Sequence, residues 1–341
     1  MPKAFVIGGS GQIGFAIGNR LSHEGWSVIL SSRSSLKFDG PWQHVKLDIN
    51  QPDIIQLDVN QLFSRSEALS DEFDLLISCI AFDASDAREL LKLQPRAKRI
   101  VAISSASVYQ DTQGRTLDEA KDCGFPVFDG PLTEETTTVP AGPETYSTRK
   151  IAMENELLAN ADIPVTILRP CVIHGPYSKH SREWWFVKRI LDGRKQIPLA
   201  YGGRSQFQTT SASAIAEVIL RSSNEDLPAV INVADLDSPT VKEIGQTIIT
   251  AMNSNAELVG LADAPYPATE GATPWSIPQP FICDSSARSI NSYAETVPDT
   301  INWLVDKVHG KSWQELLPQL ASYPQELFDY LNDDKAVLRK K

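Results

Sequence analysis

Short apolar runs alternate with amphipathic stretches through most of the first half of the chain. Lys3-Ala4-Phe5-Val6-Ile7 reads as a buried first strand. Ile13, Ala16, Ile17 and Leu21 then recur at helical spacing until Gly25 ends the helix. Ser27-Val28-Ile29-Leu30 predicts a second strand and His44-Val45-Lys46-Leu47 a third. Asn50 with Pro52 signals a helix start, and Ile55, Val59, Leu62 and Leu69 continue along one face. Leu75-Leu76-Ile77-Ser78-Cys79 and Ile100-Val101-Ala102-Ile103 predict the fourth and fifth strands, with a helix near 86–93 between them. Pro143 is expected to open a helix that runs to about Ala159. Val165-Thr166-Ile167-Leu168 and Val230-Ile231-Asn232-Val233 predict two more strands. Strands alternating with helices imply an α/β fold: a Rossmann-type, doubly wound parallel sheet with right-handed crossovers.

Segments 176–205 and 241–341 lose this alternation. They hold Trp184-Trp185-Phe186 and a run with Pro265, Pro267, Pro274, Pro278 and Pro280. The expected organisation is a dinucleotide-binding unit over 1–175 with 206–240. A smaller, discontinuous substrate lobe over 176–205 with 241–341 would sit on the carboxyl edge of the sheet.

The 341 residues, 42% hydrophobic and 22% charged, are ordinary for a globular protein. A net charge of -11 disfavours nucleic acid as a partner, because phosphate binding needs clustered Lys and Arg. Four scattered cysteines show no metal-ligand spacing. No leader segment or membrane-length apolar run is read, so a cytoplasmic location and no membrane partner are expected.

Candidate chemistry begins with Gly8-Gly9-Ser10-Gly11-Gln12-Ile13-Gly14, between the first strand and an amphipathic helix. Such a turn brings backbone close to a pyrophosphate and sets it on a helix N-terminus. An NAD site wants an acid at the end of the second strand. This chain has Ser31-Ser32-Arg33 there, so Ser32 and Arg33 point to a 2'-phosphate and to NADP, with NAD the alternative. Asp48 is the expected adenine contact, ahead of Asp58. Cys79 and Ala81, after the fourth strand, are expected to line the cofactor.

Tyr146 and Lys150 stand four apart on a predicted helix and share one face. A free tyrosine is a poor base at neutral pH, but a nearby ammonium and an oxidised nicotinamide favour the tyrosinate. Tyr146 can then take a substrate proton as hydride leaves. Lys150 would also hold the nicotinamide ribose, and Ser105, after the fifth strand, would hydrogen-bond the reacting oxygen. Ser104 and Ser107 are the alternatives.

Gly8-x-x-Gly11-x-x-Gly14, Ser105-Ala106-Ser107-Val108-Tyr109, Tyr146-x-x-x-Lys150, Leu168-Arg169-Pro170 and Gly175-Pro176 occur in that order. The set resembles the extended branch of the short-chain dehydrogenase/reductase superfamily, the NAD(P)-dependent epimerase/dehydratase-like proteins. The resemblance implies Ser105, Tyr146 and Lys150 as the catalytic triad and places Arg169-Pro170 beside the nicotinamide. It also suggests a homodimer. Two departures bear on substrate. The Asp-Glu pair of the nucleotide-sugar dehydratases reads Ala106-Ser107, which disfavours dehydration. The arginine that many epimerases place on the substrate diphosphate reads Phe207 between Gln206 and Gln208, and the Asp before Ile215-Ala216 reads Ala214. The expected activity is an NADP-dependent oxidoreductase acting on a carbonyl or secondary alcohol of a small molecule. A nucleotide-sugar epimerase and a non-catalytic dinucleotide- or RNA-binding relative are the alternatives. Packing is expected for His174, Tyr109 and Trp184-Trp185-Phe186, and solvation for Glu134-Glu135.

Overall fold

A computed structural model describes residues 1–47, 72–285, 287, 290–323 and 326–340. The chain opens with β1 (Lys3–Ile7), α1 (Gln12–His23), β2 (Ser27–Ser32) and β3 (Gln43–Lys46). β4 (Leu75–Ser78), α2 (Ala84–Leu91) and β5 (Ile100–Ile103) follow, then α3 (Tyr146–Asn160), β6 (Val165–Pro170) and β7 (Val172–His174). Next come α4 (Trp184–Leu191), β8 (Gln196–Leu199), β9 (Thr209–Ser211), α5 (Ala212–Ser222) and β10 (Val230–Val233). The remaining long elements are α6 (Val241–Ala251), β11 (Glu257–Gly260), α7 (Tyr293–Val308) and α8 (Tyr330–Lys340).

Seven strands form one sheet in the order β10-β6-β5-β4-β1-β2-β3, every pairing parallel. The chain winds outward from β1 through β2 and β3, then returns to β4 on the other side of β1. A crevice therefore opens at the carboxyl ends of β1 and β4, where ligands bind in open α/β sheets.

Strand residues alternate between the two faces. Ala4, Val6, Val28, Leu30, Leu75 and Ile77 pack with Ile17 and Leu21 of α1 and Ile215 and Ile219 of α5. Phe5, Ile7, Ile29, Leu76 and Ile100 pack on the other side with Ala87 and Leu90 of α2 and Met153 and Leu157 of α3. Helices on both faces explain why these strands read as unbroken apolar runs.

A further core gathers Trp184, Trp185, Phe186, Ile197, Leu199, Ile244, Ile248, Trp275, Tyr293, Val297 and Leu304. The three consecutive aromatics of α4 are thus packing residues. The expected loss of alternation beyond 240 is corrected: β8 and β11 pair in parallel with α6 in the intervening chain. Those strands are four residues each, too short for their periodicity to stand out.

Candidate active site

The glycine turn is closed on its inner side and open toward the crevice. The amides of Gly8 and Gly9 both donate to the Ser31 carbonyl, at 3.1 and 2.8 Å. A Cβ on Gly14 would stand 2.3 Å from the Gly9 oxygen, which holds α1 against β1. A Cβ on Gly11, the N-cap of α1, would meet nothing within 4 Å. No acidic residue occupies the first turn of α1, so Ser10, Gln12 and Ile13 surround an unopposed helix N-terminus. Oε1 of Gln12 is buried without a hydrogen-bond partner among the described residues. The close-packed glycine turn and the unopposed helix N-terminus fit a dinucleotide pyrophosphate, while Gln12 Oε1, an acceptor, suits a hydroxyl or amide donor of a ligand.

The end of β2 offers mixed support for a 2'-phosphate site. The Ser32 hydroxyl donates to the Ser34 carbonyl at 2.6 Å and lies 2.9 Å from His44 Nε2. Arg33 is exposed immediately beyond it. Asp48 and Asp58 lie outside the described residues. Across the crevice the Cys79 amide donates to the Ile7 carbonyl at 2.9 Å. Ile80 beside Gly8 is 49% exposed, an apolar surface that a bound cofactor would cover.

α3 starts at Tyr146 and not at Pro143. Thr145 is the N-cap, its hydroxyl accepting from the Thr148 amide while its own amide donates to Thr148 Oγ1 at 2.9 Å. The Asp118 carboxylate, which the sequence did not single out, accepts from the Ser147 amide at 2.7 Å. Tyr146 is therefore fixed in the first turn, with Lys150 one turn further on the same face. Lys150 is buried, and its Nζ donates to the carbonyls of Ala81 at 2.7 Å and Ile103 at 3.0 Å. Burial lowers its pKa to about 8, against the raising influence of Glu154, Asp86 and Cys79. Its Nζ is 5.8 Å from the centre of the Tyr146 ring.

Tyr146 is 43% accessible, yet the protein around it pushes its phenol above the ordinary value. A contact with the Ser105 side chain pulls in the opposite direction, and the Asp118 charge adds to the rise. The neighbouring serines are committed elsewhere. Ser104 donates to Glu154, and the hydroxyl of Ser107 is 3.0 Å from that of Ser147. Ser105 Oγ accepts the Ser107 amide at 3.1 Å, as a cap of the short turn 106–108, and faces the Tyr146 phenol.

Beneath this surface lies a buried polar chain. The Arg169 guanidinium grips Glu154 at 2.6 and 3.1 Å and donates to the Tyr109 hydroxyl at 3.2 Å. Tyr109 donates to Asn232 Oδ1 at 2.6 Å. Within the Arg169-Pro170 segment, then, Pro170 lines the pocket while the Arg169 side chain is held inside. Glu134, expected to be solvated, instead accepts the Asn232 amide at 2.9 Å. His174 is buried, with Nε2 2.9 Å from Asp235. Burial lowers its pKa, but Asp235 outweighs that and the net shift is upward.

Ser105 and Tyr146 open into a cavity of about 420 Å³. Gln12, Ser104, Ala106, Ser107, Pro170 and Cys171 complete its sheet-side wall. Its other wall includes His180, Arg182, Phe207, Phe281 and Gln319. Among the described residues no carboxylate lines it. Sequence reading singled out none of His180, Arg182, Phe281 and Gln319 for this pocket, because they come from separated segments with no shared local pattern.

A family model described as the NAD dependent epimerase/dehydratase family matches residues 4–234. The "Chloroplast stem-loop binding protein of 41 kDa b, chloroplastic" of Arabidopsis thaliana is 25% identical over 233 residues. That match covers 64% of this chain, and the chain spans about half (54%) of the relative's length. A solved UDP-N-acetylglucosamine 4-epimerase from Methanobrevibacter ruminantium, in complex with UDP-N-acetylmuramic acid, is 18% identical with a TM-score of 0.66. The match covers 90% of this chain and 99% of that one. A dTDP-glucose 4,6-dehydratase from Bacillus anthracis, in complex with NAD, is also 18% identical, with a TM-score of 0.64 and coverage of 93% and 100%. These likenesses show that the fold is shared. By the extent of the family match, the chain belongs to the NAD dependent epimerase/dehydratase family.

Proposed function

We propose that the protein is an NAD(P)-dependent epimerase-type enzyme that oxidises and re-reduces one secondary alcohol carbon of a sugar-like substrate. The observation that carries this reading is the meeting of Ser105 and Tyr146 in a pocket that no carboxylate lines. Membership of the family and the nucleotide-sugar ligands named for its structural neighbours support a sugar over a generic carbonyl compound. Elimination of water needs a positioned acid and base beside the hydroxyl. Ala106-Ser107 supplies neither, which argues against a dehydratase.

In this reading the unit 1–175 with 206–240 holds the dinucleotide and the lobe 176–205 with 241–341 holds the substrate. The turn Gly8–Gly14 and the N-terminus of α1 receive the pyrophosphate. Cys79, Ala81 and Pro170 border the nicotinamide end, and Lys150 reaches the ribose hydroxyls. A nicotinamide held there would supply hydride acceptance and return, and in its oxidised form positive charge near Tyr146. Tyr146 takes the hydroxyl proton through its phenolic oxygen and later gives it back. Ser105 donates a hydrogen bond to the reacting oxygen, and Lys150 stabilises the tyrosinate through space.

Arg33 favours a second reading of the cofactor: NADP, and with it net reduction of a carbonyl. One experiment separates the two. Purified protein is assayed by mass spectrometry for retained NAD(H) or NADP(H). It is then incubated with UDP-glucose, UDP-N-acetylglucosamine and UDP-glucuronate while inversion at the sugar carbons is followed by NMR. Inversion without added cofactor, lost in Tyr146→Phe, supports the epimerase. Stoichiometric NADPH consumption with carbonyl compounds and no inversion replaces it with the reductase. Salt-sensitive binding of a stem-loop RNA with neither activity would overturn both, against the weight of the -11 net charge.

A further inference from the structure

The lobe-side wall of the pocket carries an uncompensated charge. Among the described residues, Arg182 is the only Lys, Arg, Asp or Glu that lines the pocket. Among the described residues its side chain has no hydrogen-bond or ion-pair partner, and its Nε is buried without one. No neighbouring carboxylate forms a contact ion pair with it, although Glu183, next in the chain, feels its charge. The His180 ring is 2.8 Å from the Tyr323 hydroxyl through Nε2. Burial, and then the charge of Arg182 itself, depress His180 to a pKa of about 3, so it is neutral. Glu183 is turned into the lobe core, where it is 1% exposed and faces the Tyr293 hydroxyl at 3.4 Å.

The chain treats its other deeply placed arginines differently. Arg169 is paired with Glu154 at 2.6 Å and Arg189 with Asp333 at 2.9 Å. A guanidinium does not shed its proton, and a partly desolvated cation without a partner is costly. The position that would carry a phosphate-binding arginine in many relatives is here Phe207, whose ring meets Phe281 edge-on at 5.4 Å in the same pocket. Apolar rings in the same pocket lower its polarity and so strengthen an ion pair formed there.

We propose that Arg182 is the anion anchor of this pocket, gripping a phosphate or carboxylate group of the substrate whose reacting hydroxyl lies at Tyr146. The inference rests on the reading of this pocket as the substrate site. The guanidinium fork suits bidentate binding of either anion, and the absence of a lining carboxylate leaves nothing to compete. The substrate is accordingly anionic, with a diphosphate or a carboxylate on the side away from the sheet.

Calorimetric titration of the NAD-saturated protein tests this. The probes are uridine diphosphate, D-glucuronate and neutral D-glucose, applied to the natural protein and to Arg182→Met, Arg182→Lys and Tyr146→Phe. At least one anion should bind the natural protein more tightly than D-glucose, and the stronger of the two identifies the group. Arg182→Met should weaken that anion roughly tenfold or more, and Arg182→Lys should retain part of the affinity. Tyr146→Phe should bind it unchanged. If Arg182→Met fails to fold by circular dichroism, Arg182→Lys and the salt dependence of the natural protein decide the matter, both predicted to weaken binding. The proposal is overturned if neither anion outbinds D-glucose, or if the foldable Arg182 variants bind as the natural protein does. Anion binding through Arg182 in a protein with no hydride chemistry would leave the anchor standing and remove the epimerase. Turnover and anion binding both indifferent to Arg182 would do the reverse.

Discussion

The two walls of the pocket are built by different logic. On the sheet side, Ser105 and Tyr146 come from a strand end and from the first turn of a helix, and the elements bearing them lie directly on the Rossmann scaffold. Backbone caps, a buried lysine and a paired Arg169–Glu154 base hold them in place. On the facing side, His180, Arg182, Phe281 and Gln319 of the lobe, together with Phe207, arrive from four separate stretches of chain. Chemistry placed on rigid elements can be kept while recognition on the other wall varies. The comparison teaches that changes to the first wall should abolish turnover without touching binding, and changes to the second should do the opposite.

The largest expected effect tests the first half of that contrast. Tyr146→Phe removes the oxygen proposed to transfer the proton and keeps the ring against Phe82, 5.5 Å away. Turnover should drop by about 10²–10⁴-fold, the usual contribution of a positioned acid or base. The KM should stay close to that of the natural protein. Steady-state kinetics checks it, and a large rise in KM at constant kcat would erase the distinction between the walls.

Glu154→Gln comes next and acts on the foundation of the sheet-side wall. It leaves the Arg169 cation buried, with only Tyr109 and an amide to face. Breaking a buried pair by removing one partner costs about 3–5 kcal/mol. Urea unfolding should show that loss. A cost below about 1 kcal/mol would mean that Arg169 finds another partner and that the base is not rigid.

How much of this was legible beforehand follows the same divide. The inner strands of the sheet stand out because burial on both faces makes them apolar runs, whereas the edge strand β3 is exposed and largely polar; the glycine turn stands out because close packing at Gly14 excludes any side chain. The start of α3 was misplaced by three residues because Pro143 is a stronger local signal than Thr145, whose capping pairing with Thr148 needs the folded turn. Glu134 read as a solvated loop acid because its partner, the Asn232 amide, is 98 residues away. Arg182 could not be distinguished from any loop cation. Its significance lies in the lack of a partner, which only the assembled pocket reveals.

Phe207→Ala probes the lobe wall with a smaller effect. Truncating a ring that packs on Phe281 should raise KM about tenfold or less and leave kcat near its original value. A parallel fall in kcat would show that this wall positions the reacting carbon as well as recognising the substrate.

The smallest effect lies in the pH dependence of the sheet-side wall. The folded pKa of Lys150 is depressed to about 8 by burial, below the ordinary lysine value. Below pH 8 the amine is charged in folded and unfolded chains alike, and the folded chain bears the cost of burying that charge. Between about 8 and the ordinary value of about 10.4 the folded chain has lost a proton that the unfolded chain still holds, so this group's contribution to stability rises with pH. Dinucleotide affinity should move the other way, since the neutral amine has lost a donor and its charge. The facing groups do not offset the trend: the carbonyls of Ala81 and Ile103 do not titrate, burial keeps Cys79 neutral with a pKa of about 12, and Tyr146 lies above its ordinary value. Glu154 and Asp86, the remaining charges, both favour the protonated amine and are already included in the value of about 8. Fluorescence titration of NADH from pH 7 to pH 10 should show affinity falling above about pH 8, by at most roughly tenfold per pH unit. Lys150→Met should bind more weakly at pH 7 and show a flat profile. A flat profile in the natural protein would mean that Lys150 serves the packing of α3 on the sheet and takes no part in holding the cofactor.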